Sequence, residues 1–331
     1  MSGGVDSSVA ACILKEKGYE VAGVTMTFGK GIIEDAQKVA SIIGIPHHVL
    51  DFSKEMEEKV IQSFIREYSK GRTPNPCVDC NRFIKFDSLL KKARAMNFDF
   101  LATGHYARIE KSRGKYLLKK AKDKTKDQSY FLYGIQKENL PNILFPLGST
   151  TKKEVRAIAR KKRLPVWEKK ESQDICFIND RNYHNFFLNR SAEPKPGPIV
   201  NREREILGRH RGAPFYTVGQ RRGMGIGAKG ALYVVSIDTE RNEIVAGPRE
   251  ELKAKGLIAG SVNFLVTKFS KNASAKIRYS EKEAKCLFTT DGKKINVNFK
   301  EKQEAITPGQ SLVLYKKDIV LGGGVIEEVI L

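Results

Sequence analysis

Ser2-Gly3-Gly4-Val5-Asp6-Ser7-Ser8 runs without a break into the helical pattern Val9-Ala10-Ala11-Cys12-Ile13-Leu14, and this junction constrains the fold more than any other segment. Paired glycines let backbone approach an anion closely, and serine hydroxyls with the unpaired N–H groups of a helix N-terminus can hold phosphate. The Gly-Lys-Ser/Thr ending of a Walker loop is absent, so no lysine within the loop grips β and γ phosphates. A loop of this type better suits an enzyme that releases pyrophosphate and leaves adenylate on a substrate oxygen. Small Gly/Ser loops also cap helices with no ligand, so the loop needs support from elsewhere in the chain.

That support begins with the order of elements. Val21–Thr27 is an apolar, β-branched run, 34–43 is helical, His47–Asp51 reads as a short strand and 54–69 as an amphipathic helix. Alternation of this kind predicts an α/β domain with a parallel sheet covered by helices on both faces. Phe98–His105 predicts a further buried strand, with Gly104-His105 at the carboxyl edge where such sheets bind ligands. A phosphate loop of this kind normally follows a strand, yet Met1 directly precedes Ser2. The expectation is a strand upstream of Met1 in a longer chain; otherwise the sheet lacks a central strand and its neighbours expose unpaired backbone groups.

A chain of 331 residues with 40% hydrophobic content supports two or three globular domains. No apolar run of membrane-spanning length and no secretory leader is apparent, which predicts a cytosolic protein, expected to act as a monomer. Fifty-nine Lys and Arg against 38 Asp and Glu give a net charge of +21, and an excess of that size concentrates polyanions, with nucleic acid the natural partner. Single lysine pairs such as Lys119-Lys120 read as solvated surface.

From about residue 181 the texture changes, with a proline-rich connector at 193–198 and Gly/Arg-rich sequence at 208–223. Short alternating strands with turns at Asp291-Gly292 and Pro308-Gly309 then predict a C-terminal β-barrel. The expected division is 1–180, 181–252 and 253–331.

Five cysteines without a secretory leader argue for reactive or metal-binding thiols over a disulfide framework. Cys12 and Cys286 lie in apolar patterns and read as packing residues. Cys77 and Cys80 lie in Thr73-Pro74-Asn75-Pro76-Cys77-Val78-Asp79-Cys80-Asn81, read as a proline-braced turn before a helix over Phe83–Met96. A Cys-x-x-Cys pair at a helix start is expected to have depressed thiol pKa values, because the helix dipole favours thiolate. Cys176 follows the polar stretch Glu171-Ser172-Gln173-Asp174. Half a structural zinc site is a competing reading of Cys77-x-x-Cys80, but a second nearby pair is lacking.

Taken together, the loop at 2–8, Gly71–Asn81 with Ile84-Lys85-Phe86, Ala102–Ala107, Lys126–Leu132, Ser172–Ile178, 210–221 and Arg278-Tyr279 resemble the tRNA-specific 2-thiouridylases (MnmA), within the PP-loop ATP pyrophosphatase superfamily. The resemblance covers essentially the whole chain. It implies an adenine-nucleotide alpha-hydrolase-like domain, a small central tRNA-binding domain and a C-terminal β-barrel. It further implies that Ser2, Gly3, Gly4, Val5, Asp6, Ser7, Met26 and Gly104 bind ATP, with Mg²⁺ accompanying the phosphates. The implied reaction adenylates O2 of the wobble uridine of a tRNA anticodon and then replaces AMP with sulfur. By the same resemblance Cys176 carries a persulfide from a sulfur-relay or cysteine desulfurase donor, and Cys80 releases its sulfur, leaving a Cys80–Cys176 disulfide. Asn75, Pro76 and Cys77 would flank the target base, with His105, Lys126, Asp127, Gln128, Arg278, Tyr279 and Gln310 contacting tRNA, and the base flipped from its stack.

Many members of the family carry aspartate where this chain has Cys77. Three thiolates from Cys77, Cys80 and Cys176 could alternatively hold a [4Fe–4S] cluster whose remaining iron carries hydrosulfide. Two other readings are a PP-loop sulfurtransferase or amidotransferase acting on another acceptor, and a non-catalytic RNA-binding protein. The basic excess and the barrel oppose the former, and the intact cysteines oppose the latter.

Overall fold

The computed structural model describes all residues except 29–32, 170–174, 179–182, 192 and 228–229. Glu171–Asp174 and most of the short connection after the Met26 strand therefore lie outside the described residues. The chain divides into two compact units. One comprises Met1–Val60, Cys77–Phe177 and Asp318–Val320, and the other Ile61–Pro76, Ile178–Lys317 and Leu321–Leu331.

In the first unit, helix α1 (Val5–Glu16) begins directly after the glycine pair, with Gly4 extended as its N-cap. Val5, Val9, Ala10 and Cys12 lie on its buried side, in one apolar cluster with Tyr106 and with Val155 and Ala159 of the Lys152–Lys161 helix. That second helix opens on a capping box, Thr151 and Glu154 satisfying each other's backbone N–H groups. Strand β1 (Gly23–Thr27) pairs in parallel with β2 (His47–Asp51), and helix α2 (Glu34–Ile43) connects them. The run expected over 98–105 contributes a shorter strand, β3 (Leu101–Ala102). An antiparallel hairpin of β4 (Ala107–Ser112) and β5 (Lys115–Lys120) follows, and β3 pairs in parallel with β6 (Ile143–Leu144).

The expected parallel sheet is thus present in two pieces. A cavity of about 670 Å³ is lined by Val24 and Leu50 from one piece, Leu101 and Leu144 from the other, and Ala10 and Leu14 of α1. Hydrogen-bonded strands lie only about 4.8 Å apart, so strands facing such a space cannot pair directly.

Two helices change pitch along their length. The segment expected as one helix over 54–69 is α-helical at Ser53–Met56, widens to a π-helix at Glu57–Ile61 and returns to α at Gln62–Ser69. The helix expected from Phe83 starts earlier, at Pro76. It is α-helical over Pro76–Asp79, π-helical over Cys80–Leu89 and α-helical again over Leu90–Ala95. Proline at the first helical position sacrifices no hydrogen bond and presets φ, so Pro76 starts this helix instead of bracing a turn ahead of it.

In the second unit, strands β7 (Gly197–Val200), β8 (Ile206–His210), β9 (Tyr233–Asp238) and β10 (Glu243–Gly247) form a sheet in the order β8-β7-β10-β9. Its core is Ile199, Tyr216, Val234 and Ile244. Strands β11 (Lys253–Phe264), β12 (Asn272–Lys276), β13 (Ala284–Thr290), β14 (Ile295–Glu304), β15 (Ser311–Lys316) and β16 (Ile319–Ile330) run in the order β11-β14-β13-β12-β15-β16. Pairing of β11 with β16 closes them into the six-stranded barrel that the turn pattern predicted. Ile295, Val297 and Phe299 alternate inward along β14 against exposed Asn296 and Asn298, the two-residue period of a half-buried strand. No described helix is long and apolar enough to cross a membrane.

Candidate active site

The phosphate loop is preformed. Gly3 has φ +66°, a left-handed conformation in which a side chain is strained. The Ser2 amide donates to Ser7 Oγ (3.2 Å), the two serine hydroxyls meet at 3.2 Å, and Ser7 Oγ and Ser8 Oγ both donate to the Gly4 carbonyl (3.2 and 2.8 Å). Asp6, in the first turn of α1, accepts from Tyr106 Oη at 2.9 Å and is ion-paired with Lys152 Nζ at 2.7 and 2.9 Å. Lys169 Nζ donates to the Gly3 carbonyl (3.1 Å) and to Asp35 (2.7 Å). Gly104 backs the loop directly. A Cβ at that position would stand 2.7 Å from Asp6 C and 2.8 Å from Ser7 N, so glycine is required for packing irrespective of any ligand. Met26, half-buried near the end of β1, pairs in register with Leu50.

The cysteine cluster has a different character. Cys80 is buried, whereas Cys77 and Cys176 are exposed. The three thiols act electrostatically on one another, and Lys85 acts on all three. Cys80 and Lys85 are five residues apart within the π-helix, the spacing of its backbone hydrogen bonds, and the Lys85 charge is felt at the thiol. The expected depression of the thiol pKa values is not found. Burial pushes Cys80 up to about 11, with Lys85 opposing and Cys176, Cys77 and Asp79 adding to the rise. Cys77 and Cys176 are surface-accessible, yet the protein atoms crowded around them still desolvate the thiolate and raise both pKa values against the pull of Lys85. Desolvation of a thiolate outweighs the helix-terminal field here. Cys12 and Cys286 are buried, consistent with packing roles.

His105 accepts from or donates to Thr103 Oγ1 through Nδ1 at 2.8 Å, and its ring lies 5.8 Å from Phe86 and 6.0 Å from Phe145. Burial, followed by the Lys85 ammonium, holds its pKa well below the usual imidazole value. At neutral pH it is an uncharged hydrogen-bonding group. Asp127 accepts from the amides of Ala121 (2.9 Å) and Ser129 (3.3 Å) and from Ser129 Oγ (2.7 Å). Gln128 Oε1 accepts from the Tyr106 amide at 2.9 Å, and the Lys126 amide donates to the Asp123 carbonyl at 3.1 Å. The Gln128 bond ties this segment to Tyr106, the residue just before β4 and the one whose hydroxyl reaches Asp6.

Within the second unit, Arg278 Nη2 donates to the Val218 carbonyl (2.7 Å) and also contacts Thr307 Oγ1. Tyr279 is exposed, with Lys276 over its ring. Gln310 Nε2 donates to the Thr73 carbonyl at 2.8 Å, and the Thr73 amide donates to the Pro308 carbonyl at 2.9 Å. Gly309, at φ +91°, passes so near that a Cβ would lie 2.8 Å from Thr73 N. The barrel thereby fixes the chain leading into Asn75 and Pro76.

Sequence reasoning assigned no role to Lys85, Tyr106, Lys152 or Lys169. Lys85 lies inside the Ile84-Lys85-Phe86 motif, and its five-residue spacing from Cys80 becomes informative only with a π-helix. Lys152 is 146 residues from Asp6, a pairing that no local pattern encodes.

A glycine-serine loop at a helix N-terminus, a Rossmann-like α/β unit and a trio of thiols define a nucleotide-binding α/β protein with two β-rich additions. Family models agree along the chain. A tRNA methyl transferase HUP domain matches 1–180, a tRNA methyl transferase PRC-barrel domain 185–248 and an aminomethyltransferase beta-barrel domain 254–326. The chain is similar to "tRNA-specific 2-thiouridylase MnmA 1" of Syntrophus aciditrophicus (strain SB), 52% identical over 340 residues, covering 99% of this chain and 91% of that protein. A relative from Desulforamulus reducens, "tRNA-specific 2-thiouridylase MnmA", is 44% identical over 100% of this chain and 96% of its own. Another of that name from Halothermothrix orenii is 46% identical over 99% and 98%. The chain belongs to the tRNA-specific 2-thiouridylase family.

Proposed function

We propose that this protein uses MgATP to 2-thiolate the wobble uridine of tRNA anticodons. The observation that carries the reading is the convergence of Cys80, Cys176 and Lys85 within electrostatic reach, on the unit that also holds the phosphate loop. The uracil O2 attacks the α-phosphorus, the bond to the bridging oxygen of the β-phosphate breaks with its electron pair leaving on pyrophosphate, and the N3 proton is lost to solvent. A persulfide on Cys176, received from a donor protein, then attacks C2 and expels AMP. The Cys80 thiolate attacks Sγ of Cys176, its sulfur–sulfur bond breaks toward the base, and a disulfide remains for an external thiol to reduce. A persulfide is more acidic than its parent thiol, which offsets the desolvation that raises the Cys176 thiol. Asn75, Pro76 and Cys77 would flank the base, and His105, Lys126, Asp127, Gln128, Arg278, Tyr279 and Gln310 would position tRNA directly or through the segments they hold. Domain limits of 1–180, 181–252 and 253–331 and a monomeric, cytoplasmic enzyme belong to the same proposal.

The alternative route would hold a [4Fe–4S] cluster on Cys77, Cys80 and Cys176, which influence one another electrostatically, although among the described residues no group of three His, Cys, Asp or Glu is already placed as a metal site. Anaerobic incubation of unmodified tRNA with MgATP, before and after iron–sulfur reconstitution, tests both routes by nucleoside mass spectrometry. 2-Thiouridine from a persulfide donor without iron supports the relay. Product only after reconstitution, from free sulfide, overturns it, and no product in either arm removes the thiolation reading.

A further inference from the structure

The loop carries no lysine of its own, and its first helical turn bears a carboxylate where phosphate is expected to settle. A helix terminus supplies only about half a positive charge, too little for a polyphosphate next to Asp6. Lys152 corrects this from a distance. It is the first residue of its helix and only 9% exposed, its ammonium is paired with both Asp6 oxygens at 2.7 and 2.9 Å, and Tyr106 Oη completes the set at 2.9 Å. Lys169 stands beside the same loop on the Gly3 carbonyl.

We propose that Lys152, seconded by Lys169, supplies the cationic grip on the β- and γ-phosphates and on the departing pyrophosphate that a Walker lysine supplies elsewhere. The inference rests on the nucleotide reading above. Lys152 undergoes no covalent change. It neutralises Asp6 before nucleotide arrives and donates N–H bonds to β-phosphate oxygens as charge accumulates on the leaving group. The capping box fixes the start of the helix that carries Lys152, and the two bonds to Asp6 hold its ammonium there.

Calorimetric titration of the full chain with inorganic pyrophosphate and, separately, with AMP tests the assignment. Lys152→Met is expected to weaken pyrophosphate binding about 10- to 100-fold, the loss of a charge-assisted bond. AMP affinity should stay within about threefold, and Lys152→Arg should recover most of the pyrophosphate affinity. Lys169→Met should give a smaller loss of the same selectivity. Equal loss for AMP and pyrophosphate would make Lys152 a merely structural partner of Asp6 and overturn the proposal, as would unchanged pyrophosphate binding. If Lys152→Met alone does not fold, Asp6→Asn is compared with Asp6→Asn/Lys152→Met, in which no half-buried carboxylate is left unpaired. Pyrophosphate must still bind more weakly to the double variant. A parent protein that binds neither MgATP nor pyrophosphate defeats the nucleotide reading itself, whereas a parent that binds with variants that match it defeats only this inference.

Discussion

The phosphate loop and the cysteine helix are both helix N-termini with short motifs, yet they treat negative charge in opposite ways. At the loop, Gly3 and Gly4 open the backbone, and remote lysines bring positive charge to Asp6 and to the Gly3 carbonyl. At the cysteine helix, Cys80 is buried and its pKa is pushed up to about 11, with Lys85 opposing the rise. One terminus gathers positive charge around its first turn. The other disfavours negative charge, since burial of Cys80 penalises its thiolate. A shared helix dipole does not make two termini alike, because burial and the nearest ammonium decide the sign.

The largest expected effect breaks the cysteine side alone. Cys80→Ser is expected to lower 2-thiouridine formation at least about a thousand-fold while leaving pyrophosphate binding intact, which assay and calorimetry check together. On the loop side, Gly104→Ala forces a methyl to 2.7 Å from the Asp6 backbone and should cost about 1–3 kcal/mol of stability and most nucleotide binding. Its thermal unfolding should fall even without ligand, and an unchanged transition would refute the packing argument. Lys85→Met sharpens the contrast further. The alkylation midpoint of Cys80 should move above about 11, slowing iodoacetamide at fixed pH by about two- to tenfold, with Lys85→Arg close to the parent.

The smallest effect concerns His105, whose folded-state pKa lies well below that of the unfolded chain. Below the unfolded value the unfolded state binds a proton that the folded state refuses. The stability contributed by neutral His105 is therefore present above about pH 6.5 and is lost as pH falls below it. His105→Phe, beside Phe86 and Phe145, should flatten that part of the pH–stability curve in denaturant titrations.

Much of the fold was legible because it depends on local period and punctuation. Helix α2 and strand β2 fall where the apolar spacing put them, and the barrel follows from alternating strands and glycine turns. The start of the cysteine helix was missed because Pro76 reads equally as a turn residue or a first helical residue. Its π pitch was missed because no local residue pattern marks it. At the site, motif residues were visible but their surroundings were not. Asp127 and Gln128 spend their oxygens on backbone amides, His105 lies among aromatic rings, and Lys152 reaches Asp6 only through the tertiary fold. The thiol expectation failed for the same reason, since desolvation is a property of packing.

Sulfur transfer through Cys176 and Cys80 leaves a covalent record on the two thiols. In a single turnover with tRNA, MgATP and protein preloaded with persulfide at Cys176, peptide and nucleoside mass spectrometry should find a Cys80–Cys176 disulfide formed mole for mole with 2-thiouridine. Full 2-thiouridine with Cys80 and Cys176 both still reduced would contradict it.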